Sequence, residues 1–300
     1  MSNKHPVVAI TGSSGAGTTT VKKAFEHIFS REDINPLIVE GDSFHMYDRA
    51  QMKENVKREE KKGNKFFSHF GPEANLFDKI AETFQQYGET GECKRRYYLH
   101  SPEEAAEHNA RLNTDLGPGQ FTPWEQVGAG TDLLFYEGLH GAIVTDKVNV
   151  AKHADLKVGV VPNVNLEWIQ KIHRDNVERG YSAEEIVDTI LRRMPDYVHY
   201  ITPQFSETDV NFQRVAVTDT SNPFIARDIP TQGESFVVIR FKDLKKHKVN
   251  FPYLLSMIHD SFMSRRNTLV IPGEKMGLAM EIILAPIIHK LMKKSKKLRS

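Results

Sequence analysis

Residues 7 to 20, VVAITGSSGAGTTT, leave few architectures open to the chain that carries them. An apolar run from Val7 to Ile10 meets Gly12, Gly15 and Gly17 and then three threonines. Beyond them Val21, Ala24, Phe25, Ile28 and Phe29 recur at helical spacing, which predicts a helix over 21–29. A strand, a glycine-rich turn and a helix start, in that order, form a phosphate cradle. Glycines let backbone amides approach an anion, and the helix N-terminus adds unpaired N–H groups with a partial positive charge. Gly12 and Gly17 have the spacing of G-x-x-x-x-G-K-[ST]. The lysine position holds Thr18, so the cradle lacks its usual point charge, while Thr19 keeps the hydroxyl expected on Mg²⁺. A glycine-rich βα turn of an ordinary α/β protein is the plainer alternative. Under the nucleotide reading, the missing cation must come from elsewhere in the chain.

Composition narrows the remaining classes. At 300 residues the chain suffices for one large α/β domain or two small ones. A formal net charge of +1 provides no electrostatic footing for nucleic acid or a membrane surface. The single cysteine, Cys93, excludes an intrachain disulfide and a cysteine-based metal site and points to a reducing cytoplasm. Met1 to Pro6 lack the apolar core of a signal peptide. Met276 to Met292 is apolar but interrupted by Glu281, Pro286 and His289, which predicts a packed helix rather than a membrane span. The tail KKSKKLRS is expected to be a frayed, solvated end.

Buried strands are predicted at Leu37–Val39, at Leu133–Tyr136 and at Leu156–Val161, with further strands at 211–217, 236–241 and 268–271. The first of these runs into Glu40-Gly41-Asp42, placing Asp42 at a strand's carboxyl end, where open α/β sheets bind ligands. The stretch KENVKREEKKGNK reads as an exposed helix, and 75–87 as a second one with Leu76, Ile80, Phe84 and Tyr87 on one face. Residues 88–130, rich in glycine and carrying Pro102, Pro118 and Pro123, read as an irregular excursion near the site. Within it Tyr97-Tyr98-Leu99-His100 brings together aromatic and imidazole groups able to hydrogen-bond. Helices follow at 165–180, stopped by Gly180, and at 182–194, opened by the capping-box pair Ser182 and Glu185; another is predicted at 251–263. No internal repeat and no domain boundary is evident, so one α/β domain is expected.

Three constellations would complete a kinase site. Glu137 ends an apolar strand as the acidic residue of a Walker B element does, placed to hold or orient Mg²⁺. Asp42 has His45 and Arg49 just beyond it, and transfer to an alcohol needs a carboxylate for the proton and cations for an anionic acceptor. A strand-end Asp that merely caps the next helix is the alternative. In KIHRDNVERG, Lys171, Arg174, Asp175 and Arg179 share one helix face. These could be a solvated face with internal ion pairs; following a buried strand, they suit a polyphosphate and a sugar phosphate. Lys171 is the candidate for the charge missing at Thr18, and Arg192 with Arg193 could edge a lid. No NKxD guanine motif, no H-E-x-x-H zinc spacing among the thirteen histidines and no G-x-S-x-G elbow is present.

Taken together these residues resemble the phosphoribulokinases of the bacterial type. The strings that carry the resemblance are GSSGAGTTT, EGDSFH with Arg49, SHFGPEAN, YYLH, FYEGLHG, NLEWIQKIHRD followed by RG, and YITPQFS, continuing through NFQRV, DTSNPF and ESFVVIRF to PGEKMGLAMEIIL. The bacterial branch is similar in having threonine at the usual lysine position. The resemblance implies a P-loop kinase fold with a mixed, mainly parallel sheet, and ATP- and Mg²⁺-dependent phosphorylation of the C1 hydroxyl of ribulose 5-phosphate. It implies that Gly12, Ser13, Ser14, Gly15, Ala16, Gly17, Thr18, Thr19 and Thr20 hold ATP, with Lys171 on its phosphates. Asp42 would be the general base; His45, Arg49, Tyr98 and His100 would contact the sugar phosphate, with Arg174 and Arg179 adding charge; Glu137 and Asp175 would serve Mg²⁺. It also implies a homo-oligomer activated by NADH and inhibited by AMP, with Arg31, Arg193 and Arg240 as candidates for that regulation. Two other readings stay open: a uridine or pantothenate kinase of the same fold, and a regulator that senses adenylates without turnover.

Overall fold

The computed structural model describes residues 4–12, 18–177, 180–225 and 228–300, with Thr18 and Thr19 described by their backbone alone. In chain order the first half comprises β1 (Val7–Gly12), α1 (Thr18–Arg31), β2 (Pro36–Glu40), α2 (Arg49–Lys61), α3 (Phe77–Thr90), β3 (Cys93–Arg95), α4 (Pro102–Leu112), β4 (Glu125–Val127) and β5 (Leu133–Gly138). The second half comprises β6 (Leu156–Val161), α5 (Val164–Val177), α6 (Ala183–Asp196), β7 (Val210–Ala216), β8 (Ser235–Phe241), α7 (Leu244–His247), α8 (Phe251–Met257), β9 (Phe262–Arg265), β10 (Thr268–Pro272) and α9 (Met276–Arg299).

Eight strands form one sheet in the order β2-β5-β1-β6-β7-β8-β10-β9. The first five are parallel and the last three antiparallel, so the sheet is mixed and mainly parallel, as the family resemblance implies. Side-chain alternation explains why its central strands read as unbroken apolar runs. Val8 and Ile10 of β1, with Leu133 and Phe135 of β5, turn to the face covered by α1 and α9, where Phe25, Ile28, Met280 and Leu284 meet them. Val7 and Ala9, with Leu134 and Tyr136, turn to the opposite face, against Ile80, Phe84 and Tyr87 of α3. A strand covered on both faces has no polar side to show. Each such fully buried large side chain stabilises the fold by roughly 2 kcal/mol relative to exposure.

The structure corrects four sequence expectations. The excursion over 88–130 is not wholly irregular: it holds α4 and the antiparallel pair β3–β4. Only Ala105 of α4 is buried, so no apolar stripe announces this helix; the Ser101 cap, accepting from the Glu104 N–H, and Pro102 in its first turn start it. The basic tail is not frayed. α9 runs through it to Arg299, held where the Ser295 hydroxyl donates to the Lys4 carbonyl at 2.6 Å and Arg299 lies 3.8 Å from Asp132. The helix expected over 251–263 stops at Met257, and Phe262–Arg265 instead pairs with β10 as an edge strand. The exposed helix expected from Lys53 starts earlier, at Arg49, because Asp48 and Gln51 close a reciprocal cap. The Ser182–Glu185 cap of α6 forms as predicted. Among the described residues no helix is long and apolar enough to cross a membrane.

Candidate active site

The chain leaves β1 for β2 on one side and later returns as β6 on the other, so the carboxyl ends of β1, β2, β5 and β6 border a switch point of the kind where α/β sheets take ligands. Close backbone approach shapes this edge. A Cβ on Gly12 would lie 2.5 Å from the Val160 carbonyl oxygen, and one on Gly138 would lie 2.6 Å from the Gly41 Cα. Only glycine lets β2 and β5 end back to back, which brings Glu40, Asp42 and Glu137 to one place.

Asp42 sits in the short 3-10 turn after β2, its side chain 43% exposed. His45 Nε2 lies 3.3 Å from one carboxylate oxygen and His100 Nε2 3.7 Å from the other. Burial works to raise the Asp42 pKa, but the hydrogen bond with His45 and the fields of the His45 and His100 imidazoles outweigh it and hold the carboxyl well below its usual range. The same contact works on His45 in the opposite sense: burial disfavours the imidazolium, yet Asp42 raises the pKa above the ordinary histidine value. Tyr98 packs edge-on against His100, with ring centroids 5.0 Å apart, and faces the His45 ring at 6.5 Å. Arg96 anchors this turn from behind, its guanidinium donating to the Ser43 and His45 carbonyls at 2.7 and 2.6 Å. Arg49 opens α2 with its N–H on the Gly119 carbonyl at 2.9 Å, and its stem packs on Gly119. The loop that holds Arg49 continues to Phe121, which bridges to Tyr98.

The second cluster comes from α5 and α6. Asp175, 5% exposed in its side chain, is ion-paired with Lys171 and lies 3.1 Å from Arg174. Burial depresses the Lys171 ammonium to about 8, with Arg193 pushing in the same direction. Arg193 lies over the Phe70 ring at 5.3 Å, and its charge also acts on His45 and His69. It therefore borders the site, whereas Arg31 and Arg240 do not: Arg31 closes α1 and Arg240 pairs in register with Asn211 at the start of β7, both toward the sheet's opposite end. Arg192 joins α6 to α2 through Glu60, at 2.5 Å.

Glu137 ends β5 in register with Glu40 of β2. Burial pushes its carboxyl up to about 7, and the neighbouring Glu40 adds repulsion that Lys22 partly offsets. A hard cation would relieve that repulsion, so the donor chemistry fits Mg²⁺. Among the described residues no three His, Cys, Asp or Glu side chains gather to hold a metal by themselves. Of the nucleotide-binding run, Gly12 ends β1, Thr18 and Thr19 enter α1, and the Thr20 methyl faces Gly277 of α9. Ser13, Ser14, Gly15, Ala16 and Gly17, together with Arg179, lie outside the described residues.

Three residues at this edge were given no role by the sequence reading. Asn75 bonds His45, the His69 ring stacks 5.0 Å from the His45 ring, and Gln204 ties the end of β1 to the loop after β5 through Thr11, Leu139 and Ala142. His69 and Asn75 fall within SHFGPEAN and Gln204 within YITPQFS, so the strings marked them while periodicity could not.

With this geometry in view, comparison with known proteins is specific. The profile of the Phosphoribulokinase / Uridine kinase family matches residues 7–221. The chain is 59% identical to the phosphoribulokinase of Nitrobacter vulgaris over 297 residues, covering 99% of this chain and 100% of that protein. It is also 59% identical to the chromosomal phosphoribulokinase of Cupriavidus necator, covering 99% of each. The solved structure of the phosphoribulokinase from Rhodobacter spheroides superposes with a TM-score of 0.88 at 52% identity, covering 98% of this chain and 99% of that one.

Proposed function

The chain belongs to the phosphoribulokinase/uridine kinase family, and from that membership we propose that it transfers the γ-phosphoryl group of ATP to the C1 hydroxyl of ribulose 5-phosphate. The observation that carries this reading is the Asp42 carboxylate, ionised and fixed between two imidazoles at the end of β2, one strand removed from β1, which leads into the glycine-rich run. The whole chain acts as one kinase domain, its sheet drawing strands from residues 7 to 272.

Residues 12–20 hold the polyphosphate, and Lys171 supplies the cation absent at Thr18. Asp42 orients the acceptor hydroxyl and takes its proton. His45, Tyr98, His100 and Arg49 line the acceptor side, with Arg174 and Arg179 adding charge; the three arginines suit a phosphorylated sugar better than a neutral nucleoside. When bound, Mg²⁺ would neutralise charge on the nucleotide phosphates, and Thr19, Glu137 and Asp175 would be the residues that hold it. NADH and AMP remain the candidate effectors, and Arg31, Arg193 and Arg240 their candidate contacts. Cytoplasmic location and homo-oligomeric assembly belong to the same proposal.

An ATP-dependent ADP-release assay with ribulose 5-phosphate, with and without NADH, tests the assignment. Turnover is expected with the sugar phosphate and not with uridine or pantothenate. Tight ATP binding with no sugar phosphate turned over would instead make the protein an adenylate sensor. Arg49→Ala is expected to raise the KM for ribulose 5-phosphate by about tenfold or more, with kcat for ATP consumption changed far less. A change confined to the KM for ATP would remove Arg49 from the acceptor side.

A further inference from the structure

His45 and Asn75 lie 30 residues apart and meet across an isolated antiparallel bridge. The Met46 N–H donates to the Ala74 carbonyl at 2.8 Å and the Leu76 N–H to the Phe44 carbonyl at 2.9 Å, so the two backbones cannot slide. Between them the Asn75 side chain is buried, its amide nitrogen 2.7 Å from both the His69 and the Gly71 carbonyl oxygens. A carbonyl oxygen only accepts. Both contacts therefore require the NH₂ end of the amide and use both of its hydrogens, which determines which way Asn75 points. The end that faces His45 is Oδ1, 2.8 Å from Nδ1, and it too only accepts. Nδ1 consequently carries a hydrogen.

That leaves the other ring nitrogen. A neutral His45 with its hydrogen on Nδ1 directs the Nε2 lone pair at the Asp42 carboxylate, 3.3 Å away. The contact is attractive only with a proton between the two atoms. We propose that Asn75 is a positioning residue that locks the hydrogen on His45 Nδ1, so that Asp42 and His45 receive the substrate's proton as a unit. As the acceptor oxygen bonds to phosphorus, its O–H bond breaks and the proton passes through the Asp42 carboxylate to His45 Nε2. The phosphorus–oxygen bond to ADP breaks with its electron pair on ADP. The pair goes from a net charge of −1 to zero, ending as carboxylate and imidazolium.

The arrangement answers a difficulty in the chemistry. Asp42 alone, held well below the ordinary carboxylate range, is a poor resting place for a proton, whereas His45, raised above the ordinary histidine value, is a good one. The groups that face the pair are His100 from the loop after β3, His69 from the loop after α2, Arg193 from α6 and the buried His140 after β5. Burial and the neighbouring cations keep His69 uncharged, and burial does the same for His140, so neither supplies the proton.

The inference rests on Asp42 as the proton acceptor, and its first test needs no turnover. In ¹⁵N-labelled protein, with His45→Gln used only to assign the signals, the neutral His45 ring is expected to carry its hydrogen on Nδ1. A neutral ring protonated on Nε2 overturns the proposal, whatever the enzyme's activity. The second test is the pH profile of kcat for ribulose 5-phosphate. Its acid limb should follow His45, above 6.5, and Asn75→Ala should move that limb down by about one pH unit and lower kcat by about tenfold, with KM changed less. A limb that Asn75→Ala leaves in place overturns the shared-proton role. Should Asn75→Ala fail to fold, the tautomer measured in the unaltered protein decides alone. The expected tautomer in a protein that turns over no sugar phosphate would uphold the lock and sink the proposed reaction instead.

Discussion

Asp42→Asn is expected to lower kcat by about 10³-fold or more, roughly 4 kcal/mol of transition-state stabilisation, with ATP affinity held within about twofold. Asparagine keeps the shape and one oxygen but not the charge. Its NH₂ can donate to the His45 Nε2 lone pair, so the turn after β2 should persist and nucleotide binding by residues 12–20 should be spared. Under the proposed function, what is lost is the base at the acceptor oxygen. Phosphoryl transfer through a loose transition state needs that base late, once the new bond to phosphorus has made the hydroxyl acidic, and this is why a carboxylate with a depressed pKa can serve. Single-turnover kinetics and equilibrium ATP titration separate the two effects. A variant that keeps more than about a tenth of its turnover would remove Asp42 from the reaction.

The other large effect lies at the opposite end of the sheet, away from the chemistry. Asp209, just before β7, has a side chain only 7% exposed, yet two lysines and an imidazole converge on it. Lys246 is 2.5 Å away, His247 3.5 Å and Lys157 3.7 Å, and the Lys157 N–H donates to it at 2.9 Å. Although burial works to raise the Asp209 pKa, the His247 hydrogen bond and the charge of Lys157 hold it well below the ordinary value. Asp209→Ala strands those cations beside the β6–β7 edge and is expected to destabilise the fold by about 3–5 kcal/mol. Chemical denaturation at neutral pH reads this directly, while kcat of the folded fraction should stay near that of the unaltered protein. A loss below about 1 kcal/mol would mean that water or rearranged lysines already satisfy the site. The sign of the pH dependence follows from the depressed carboxyl. Asp209 contributes its full stabilisation above the ordinary aspartate value, and the contribution disappears as pH falls through its lower folded value.

Lys171 shows how far local pattern reaches. Helical spacing correctly places Lys171, Arg174 and Asp175 together, but the structure joins Lys171 to Asp175 rather than leaving it as an open charge. Under the proposed function, a nucleotide phosphate must compete with that carboxylate for the ammonium. Arg193 is the converse case. It was associated with regulation by resemblance, and the fold places its charge on His45, His69 and Lys171, at the site itself.

What the amino-acid order determined by itself is the part that depends on neighbours along the chain. The apolar runs of β1, β5 and β6, the α6 cap and the strand-end positions of Asp42 and Glu137 are all of this kind. Burial on both faces writes a strand as an unbroken apolar run, and a cap writes itself within four residues. Tertiary structure alone decided the rest. Asn75 meets His45 only because a backbone bridge closes across 30 residues, and Gln204 reaches Thr11 across 193. The basic tail becomes helix because its inner face finds Lys4 and Asp132. Polar contacts of this range leave no periodic trace, since a single buried hydrogen bond depends on where the packed core sets two side chains and not on the residues beside either one.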